Sequence, residues 1–92
     1  MAIAREFFGP GWTAAQYSEL IERMDLGGHS APGVLFHWAA ATEDGVHAVD
    51  VYDSPQAADD LVATKVGPAA GALGLTPPEV RQFEVIGYLA PR

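Results

Sequence analysis

The chain has 92 residues, 49% of them hydrophobic, with 12 acids against 5 bases and no cysteine, for a formal net charge of −7. That length fits one domain with one core, and a chain so small buries only about 60% of its unfolded surface on folding alone. The missing cysteines exclude disulfide staples and thiolate metal sites, and the acidic balance argues against nucleic acid, whose binders carry a basic stripe.

Met1 to Phe8 reads as a strand, ended by the turn punctuation Gly9-Pro10-Gly11. Thr13 then stands at an N-cap with Gln16 three residues on, a capping box, flanked by the staple positions Trp12 and Tyr17. Tyr17, Leu20, Ile21 and Met24 form one apolar helical stripe, and Gly27 suits a left-handed C-terminal cap. Val34 to Thr42 is a second strand, Glu43-Asp44-Gly45 its turn, and Val46 to Asp53 the return strand. Ser54-Pro55 is an N-cap followed by proline at the first helical position, and Leu61, Val62 and Val66 give that helix a buried side. Gly67-Pro68 is expected to break it, Ala69 to Leu73 to form one more short turn, and Glu79 to Leu89 to be the last strand. The order β-α-β-β-α-β over residues 1–92 predicts a single α+β domain, a ferredoxin-like sandwich whose four-stranded sheet carries both helices on one face.

A sheet covered on one side alternates apolar and polar residues. The central hairpin does not. Val34, Phe36, Trp38 and Ala40 alternate with Leu35, His37, Ala39 and Ala41, and neither set is charged. The return strand sets Val46, Ala48, Asp50 and Tyr52 against His47, Val49 and Val51. With helices for only one face, a second copy laid over the other is the economical solution, so a homodimer is expected.

The hairpin VLFHWAAATEDGVHAVDVYDS leading into a helix, within βαββαβ order over essentially the whole chain, resembles the dimeric α+β barrel superfamily. Its Leu-Phe-His and Val-Asp-Val-aromatic strands are similar to those of short actinobacterial members. The superfamily includes antibiotic-biosynthesis-type monooxygenases, small polyketide cyclases and haem-degrading monooxygenases. The resemblance implies a homodimer with an enclosed cavity, and one fold hosts many chemistries.

A two- or four-residue hairpin loop pairs odd positions of one strand with even positions of the other. It sets His37 on a face with Ala48, Asp50 and Tyr52, and Phe36 and Trp38 with His47, Val49 and Val51. A three-residue bulged loop reverses that parity and puts Trp38 beside Asp50 and Tyr52. In the first register the bulky face suits packing under helices, and the interior between two copies receives His37, Asp50 and Tyr52, with Ala39, Ala41 and Ala48 leaving room for a ligand. Asp50 is the telling residue, since an unpartnered carboxylate in an apolar strand is costly to bury.

The candidate catalytic residues are therefore His37 as base, Asp50 fixing its tautomer, and Tyr52 donating to a developing enolate or phenolate oxygen. The plainer alternative is that His37 and Asp50 only satisfy one another. Arg5, Trp38, Ala39 and Ala48 are candidate substrate contacts, Arg5 being equally able to pair with Glu84. His29 lies in a polar loop, and three histidines split between faces predict no metal site. The glycine spacing supports no nucleotide, and no cofactor is expected.

Two chemistries suit such a cavity: oxygenation of a deprotonated phenol, and ring closure of a poly-β-ketone. The haem-degrading branch uses an asparagine, and this chain has none, which argues against haem degradation and weighs on the monooxygenase reading. The expectation is a cofactor-independent, monooxygenase- or cyclase-like enzyme for a small hydrophobic or aromatic molecule, cytoplasmic, with no nucleic-acid or membrane partner. The alternative is a non-catalytic homodimer that binds a small ligand or acts as a scaffold. Apolar runs far short of ~20 residues support the absence of a membrane span, and Met1 to Phe8, interrupted by Arg5 and Glu6, does not read as a signal peptide.

Overall fold

A computed structural model describes residues 1–28 and 31–87. Strand β1 (Ile3–Pro10) is followed by helix α1 (Ala14–Met24), the hairpin β2 (Val34–Thr42) and β3 (Gly45–Tyr52), helix α2 (Pro55–Leu61), a π-helical turn (Val62–Val66), helix α3 (Gly67–Ala72) and strand β4 (Glu79–Glu84). The four strands form one sheet in the order β2-β3-β1-β4, every neighbouring pair antiparallel. This is the ferredoxin-like α+β arrangement predicted from the element order.

Local chemistry explains most boundaries. Thr13 caps α1 as predicted: its side chain accepts from the Gln16 amide, and the Gln16 side chain accepts from the Thr13 amide at 2.9 Å. Helix α1 stops at Met24 because Asp25 takes the left-handed conformation, with φ 52° and its amide on the Glu22 carbonyl. The expected cap at Gly27 is thus pre-empted, aspartate being among the few residues that tolerate that region. Ser54 caps α2 by accepting from the Ala57 amide, with Pro55 at the helix start.

The expected break at Gly67-Pro68 does not occur. The backbone stays helical from Pro55 to Ala72, and the proline is accommodated by widening the turn before it. Proline has no N–H for the carbonyl four residues back. Here the Gly67 amide bonds five residues back to Val62, and a Cβ on Gly67 would sit 2.9 Å from that carbonyl oxygen. The last strand ends at Glu84 rather than Leu89, and Leu89 lies outside the described residues, as does His29.

The hairpin loop contains two residues, Glu43 and Asp44, between the pair Thr42 and Gly45. The pairing is the odd–even one, with His37 opposite Asp50 and Trp38 opposite Val49. A bulge interrupts β2, however: Val34 pairs with Tyr52 and Phe36 with Val51, leaving Leu35 extra. Val34 therefore shares the face of Asp50 and Tyr52 instead of following Phe36.

The core lies between the sheet and its helices. Ile3, Val46 and Tyr52 from the strands meet Trp12, Leu20, Met24, Ala58, Leu61 and Ala69 from the helical layer. This reverses one expectation. The face of His37, Asp50 and Tyr52 lies under the helices, and that of Phe36, Trp38, Val49 and Phe83 is the bare one. Bulk misleads here because the layer above the sheet brings its own, from Trp12 ahead of α1 and from Leu20, Met24 and Leu61 on the helices. Strands β2 and β3 can therefore keep residues as small as Ala39 and Ala48 on the covered face, beside the larger Phe7 and Tyr52. The uncovered face keeps large ones, Trp38 at 45% exposure and Phe83 at 42%.

Candidate active site

Between α1 and the sheet is a cavity of about 580 Å³, lined mostly by apolar side chains. Leu20, Ile21 and Met24 roof it from the α1 stripe, Phe7, Val46 and Ala48 form part of its floor, and Leu61 and Val66 lie on the α2 side. Among the described residues its wall holds one basic and one acidic side chain, His37 and Asp50, and no lysine or arginine.

Three elements bring the polar groups together. Asp50 and Tyr52 are two apart on β3 and share a face, and His37 stands directly across from Asp50 on β2. Asp50 is only 9% exposed. Its Oδ1 contacts His37 Nδ1, and its Oδ2 accepts from the Tyr52 hydroxyl at 2.6 Å. Each carboxylate oxygen therefore has a partner, which offsets much of the penalty of burying it. An ionised carboxylate can only accept, so the proton on His37 belongs on Nδ1, and Nε2 is left with its lone pair.

That lone pair is already engaged. The Tyr17 hydroxyl, from the second turn of α1, lies 2.5 Å from His37 Nε2 and donates to it, the two rings nearly parallel at 8° with centroids 6.2 Å apart. The result is a continuous chain, Tyr17–His37–Asp50–Tyr52, reaching from the cavity wall into the core. Burial first, and then the charge of Asp50, push the Tyr17 phenol above its ordinary 10.0. Burial, the hydrogen bond to Asp50 and its charge push Tyr52 up as well, with Arg5 acting in the opposite sense. Both tyrosines are donors at neutral pH.

The structure sorts the sequence candidates. His37, Asp50 and Ala48 line the cavity. Tyr52 is fully buried, and its hydroxyl is spent on Asp50, so it offers no donor to a ligand. Arg5 is also turned from that role: its guanidinium donates to Asp59 at 2.7 Å and to Gln82 at 2.9 Å, tying β1 to α2 and β4 in place of the Glu84 pairing considered from the sequence. Ala39 shares the face but is outside the cavity wall, and Trp38 is on the far face of the sheet, beside His47 and Arg81 in a smaller hollow. Tyr17, expected only as a helix staple, brings the site a hydroxyl as well. Its signal was available, since the α1 stripe carries one polar tip among aliphatic neighbours.

No protein-family model matches the chain, and no curated protein sequence matches it. Solved structures do match its fold. A Chloroflexus aurantiacus protein provisionally assigned as an antibiotic biosynthesis monooxygenase is 21% identical over 98% of both chains, with a TM-score of 0.70. SnoaB, a cofactor-independent oxygenase from Streptomyces nogalater, is 19% identical over 96% of this chain and 95% of its own, with a TM-score of 0.65. The monooxygenase ActVA-Orf6 of Streptomyces coelicolor, solved with nanaomycin D, is 24% identical over 99% of this chain and 92% of its own, with a TM-score of 0.52. The chain thus has the α+β fold of the antibiotic-biosynthesis-monooxygenase-like proteins. Among the described residues no helix is long and apolar enough to cross a membrane.

Proposed function

We propose that this protein is a small cofactor-independent enzyme of the monooxygenase- or cyclase-like kind, acting by proton abstraction on a neutral aromatic or polyketide-like molecule held between α1 and the sheet. The observation that carries the reading is His37, held through Nδ1 by the buried Asp50 with its other nitrogen on the Tyr17 hydroxyl, both rings in the wall of an apolar cavity. Asp50 fixes the tautomer and stabilises the imidazolium that forms when the base takes a proton. The apolar wall favours a flat, uncharged substrate, and an enolisable ketone or phenol has the acidic proton such a base can take. The likeness in fold to SnoaB and ActVA-Orf6 supports an oxygenase-type outcome for the resulting carbanion. Absence of asparagine gives the chain its own polar set, in which His37 and Asp50 do the acid–base work. A second copy over the bare sheet face completes the proposed assembly, supported by Trp38, Phe36 and Phe83 exposed there.

β-Tetralone, an apolar bicyclic ketone with acidic benzylic protons, tests the base directly, because exchange of those protons for deuterium requires neither oxygen nor ring closure. The protein accelerates this exchange over buffer, and His37→Ala loses roughly 10²–10⁴ of the acceleration. Exchange no faster than in buffer, or equal acceleration by His37→Ala, overturns the reading in favour of a ligand-binding protein.

A further inference from the structure

We propose that Tyr17 is a catalytic residue, the group through which His37 exchanges a proton with its substrate. The inference rests on the reading of His37 as base and adds the step between that base and the ligand. A general base needs its lone pair within hydrogen-bond reach of the proton it takes. The Nε2 lone pair of His37 is occupied by the Tyr17 hydroxyl at 2.5 Å, so although both rings line the cavity, a substrate reaches that lone pair through the phenol oxygen.

Tyr17 is well placed to pass a proton on. It lines the cavity, and α1 holds it one turn beyond the N-cap Thr13, its amide bonded to the Thr13 carbonyl at 3.0 Å. Its ring packs against the buried core. The step balances without any co-reactant. The substrate C–H or O–H gives its proton to Tyr17 Oη as Tyr17 gives its own to His37 Nε2. The products are a substrate anion, a neutral tyrosine and an imidazolium paired with the Asp50 carboxylate. The reverse transfer returns a proton to the product. Because the phenol is neutral before and after the step, no free tyrosinate is formed, and the hydroxyl remains to donate to the new anion.

β-Tetralone exchange again provides the measurement. Tyr17→Phe loses about 10²–10⁴ of the acceleration, as His37→Ala does, and the double variant loses no more than either, as expected of groups acting as one unit. In Tyr17→Ala, added phenol restores exchange and more acidic phenols shift the rate systematically, whereas toluene, which has the same ring and no hydroxyl, restores nothing. Far-ultraviolet circular dichroism and the melting temperature confirm that each variant is folded. Tyr17→Phe exchanging as fast as the parent or faster overturns the proposal, since the hydroxyl would then only plug the base. Rescue by toluene equal to that by phenol also overturns it, reducing Tyr17 to packing. These outcomes are distinct from activity retained in His37→Ala, which removes the base itself.

Discussion

The Tyr52 hydroxyl donates to Asp50 Oδ2 at 2.6 Å from two positions further along the same strand, so one edge of β3 carries both a buried carboxylate and the donor that satisfies it. With His37 on the other oxygen, the pair turns a single acid in an apolar strand into a fixed point in the core. Tyr52→Phe keeps the ring and leaves one oxygen of the buried carboxylate without its donor. Chemical denaturation should show a loss of about 1–3 kcal/mol, the range for stranding a buried polar partner. A change under 0.5 kcal/mol would mean that the hydroxyl does little for Asp50.

Alkaline stability follows from the same contact. The folded-state value of Tyr52 lies above the 10.0 of an unperturbed tyrosine, so below pH 10 its contribution to stability is fully present. Above that, the unfolded chain loses the proton while the folded one keeps it, and stability falls as pH rises toward the folded value. The slope is up to about 1.4 kcal/mol per pH unit for this group. Denaturation midpoints between pH 8 and 11 should decline only in the upper part of that range, and Tyr52→Phe should flatten the decline.

Gly9 lies beneath the indole of Trp12. A Cβ there would stand 2.2 Å from Trp12 Cδ2, in conflict with a ring whose Nε1 donates to Thr76 at 3.0 Å. Gly9→Ala must shift the ring, break that bond or bend β1. Overpacking of this kind costs about 1–3 kcal/mol. Thermal unfolding of the variant is expected at a clearly lower temperature, and an unchanged midpoint would show that Trp12 is free to move.

The bare sheet face gives the association test. Light scattering at micromolar concentration is expected to return the mass of two chains for the parent and one for Trp38→Glu, with unchanged far-ultraviolet circular dichroism. A parent mass of one chain would remove the second copy from the assembly, whatever the state of the cavity.

Much of this architecture is legible in the sequence because short-range chemistry dictates it. The Thr13–Gln16 box, Ser54-Pro55 and the turn residues Glu43-Asp44-Gly45 each act over a few residues, and together they set the element order. Turn parity puts His37 opposite Asp50 only once the loop is seen to hold two residues, a choice the sequence leaves open against a three-residue loop. Long-range packing is what the sequence hides. Which sheet face the helices cover depends on how much bulk Leu20, Met24 and Leu61 bring with them, and strand alternation does not report that. Tyr17 was hidden for a related reason. Its aromatic ring satisfies the helix stripe, and only the folded sheet reveals what its hydroxyl meets. Pro68 shows the limit of local rules, since a π turn absorbs what a proline ordinarily ends.

The clamp of Arg5 by Asp59 and Gln82 reaches beyond holding β1 to its neighbours. It neutralises the guanidinium on the helix-covered sheet face, within a chain that already carries a formal charge of −7. Carboxylated, phosphorylated and nucleotide-tagged molecules therefore approach a like-charged surface and find no lysine or arginine among the described residues of the cavity wall. The same charge pattern that disfavours the entry of such anions puts no electrostatic obstacle in the way of an uncharged solute.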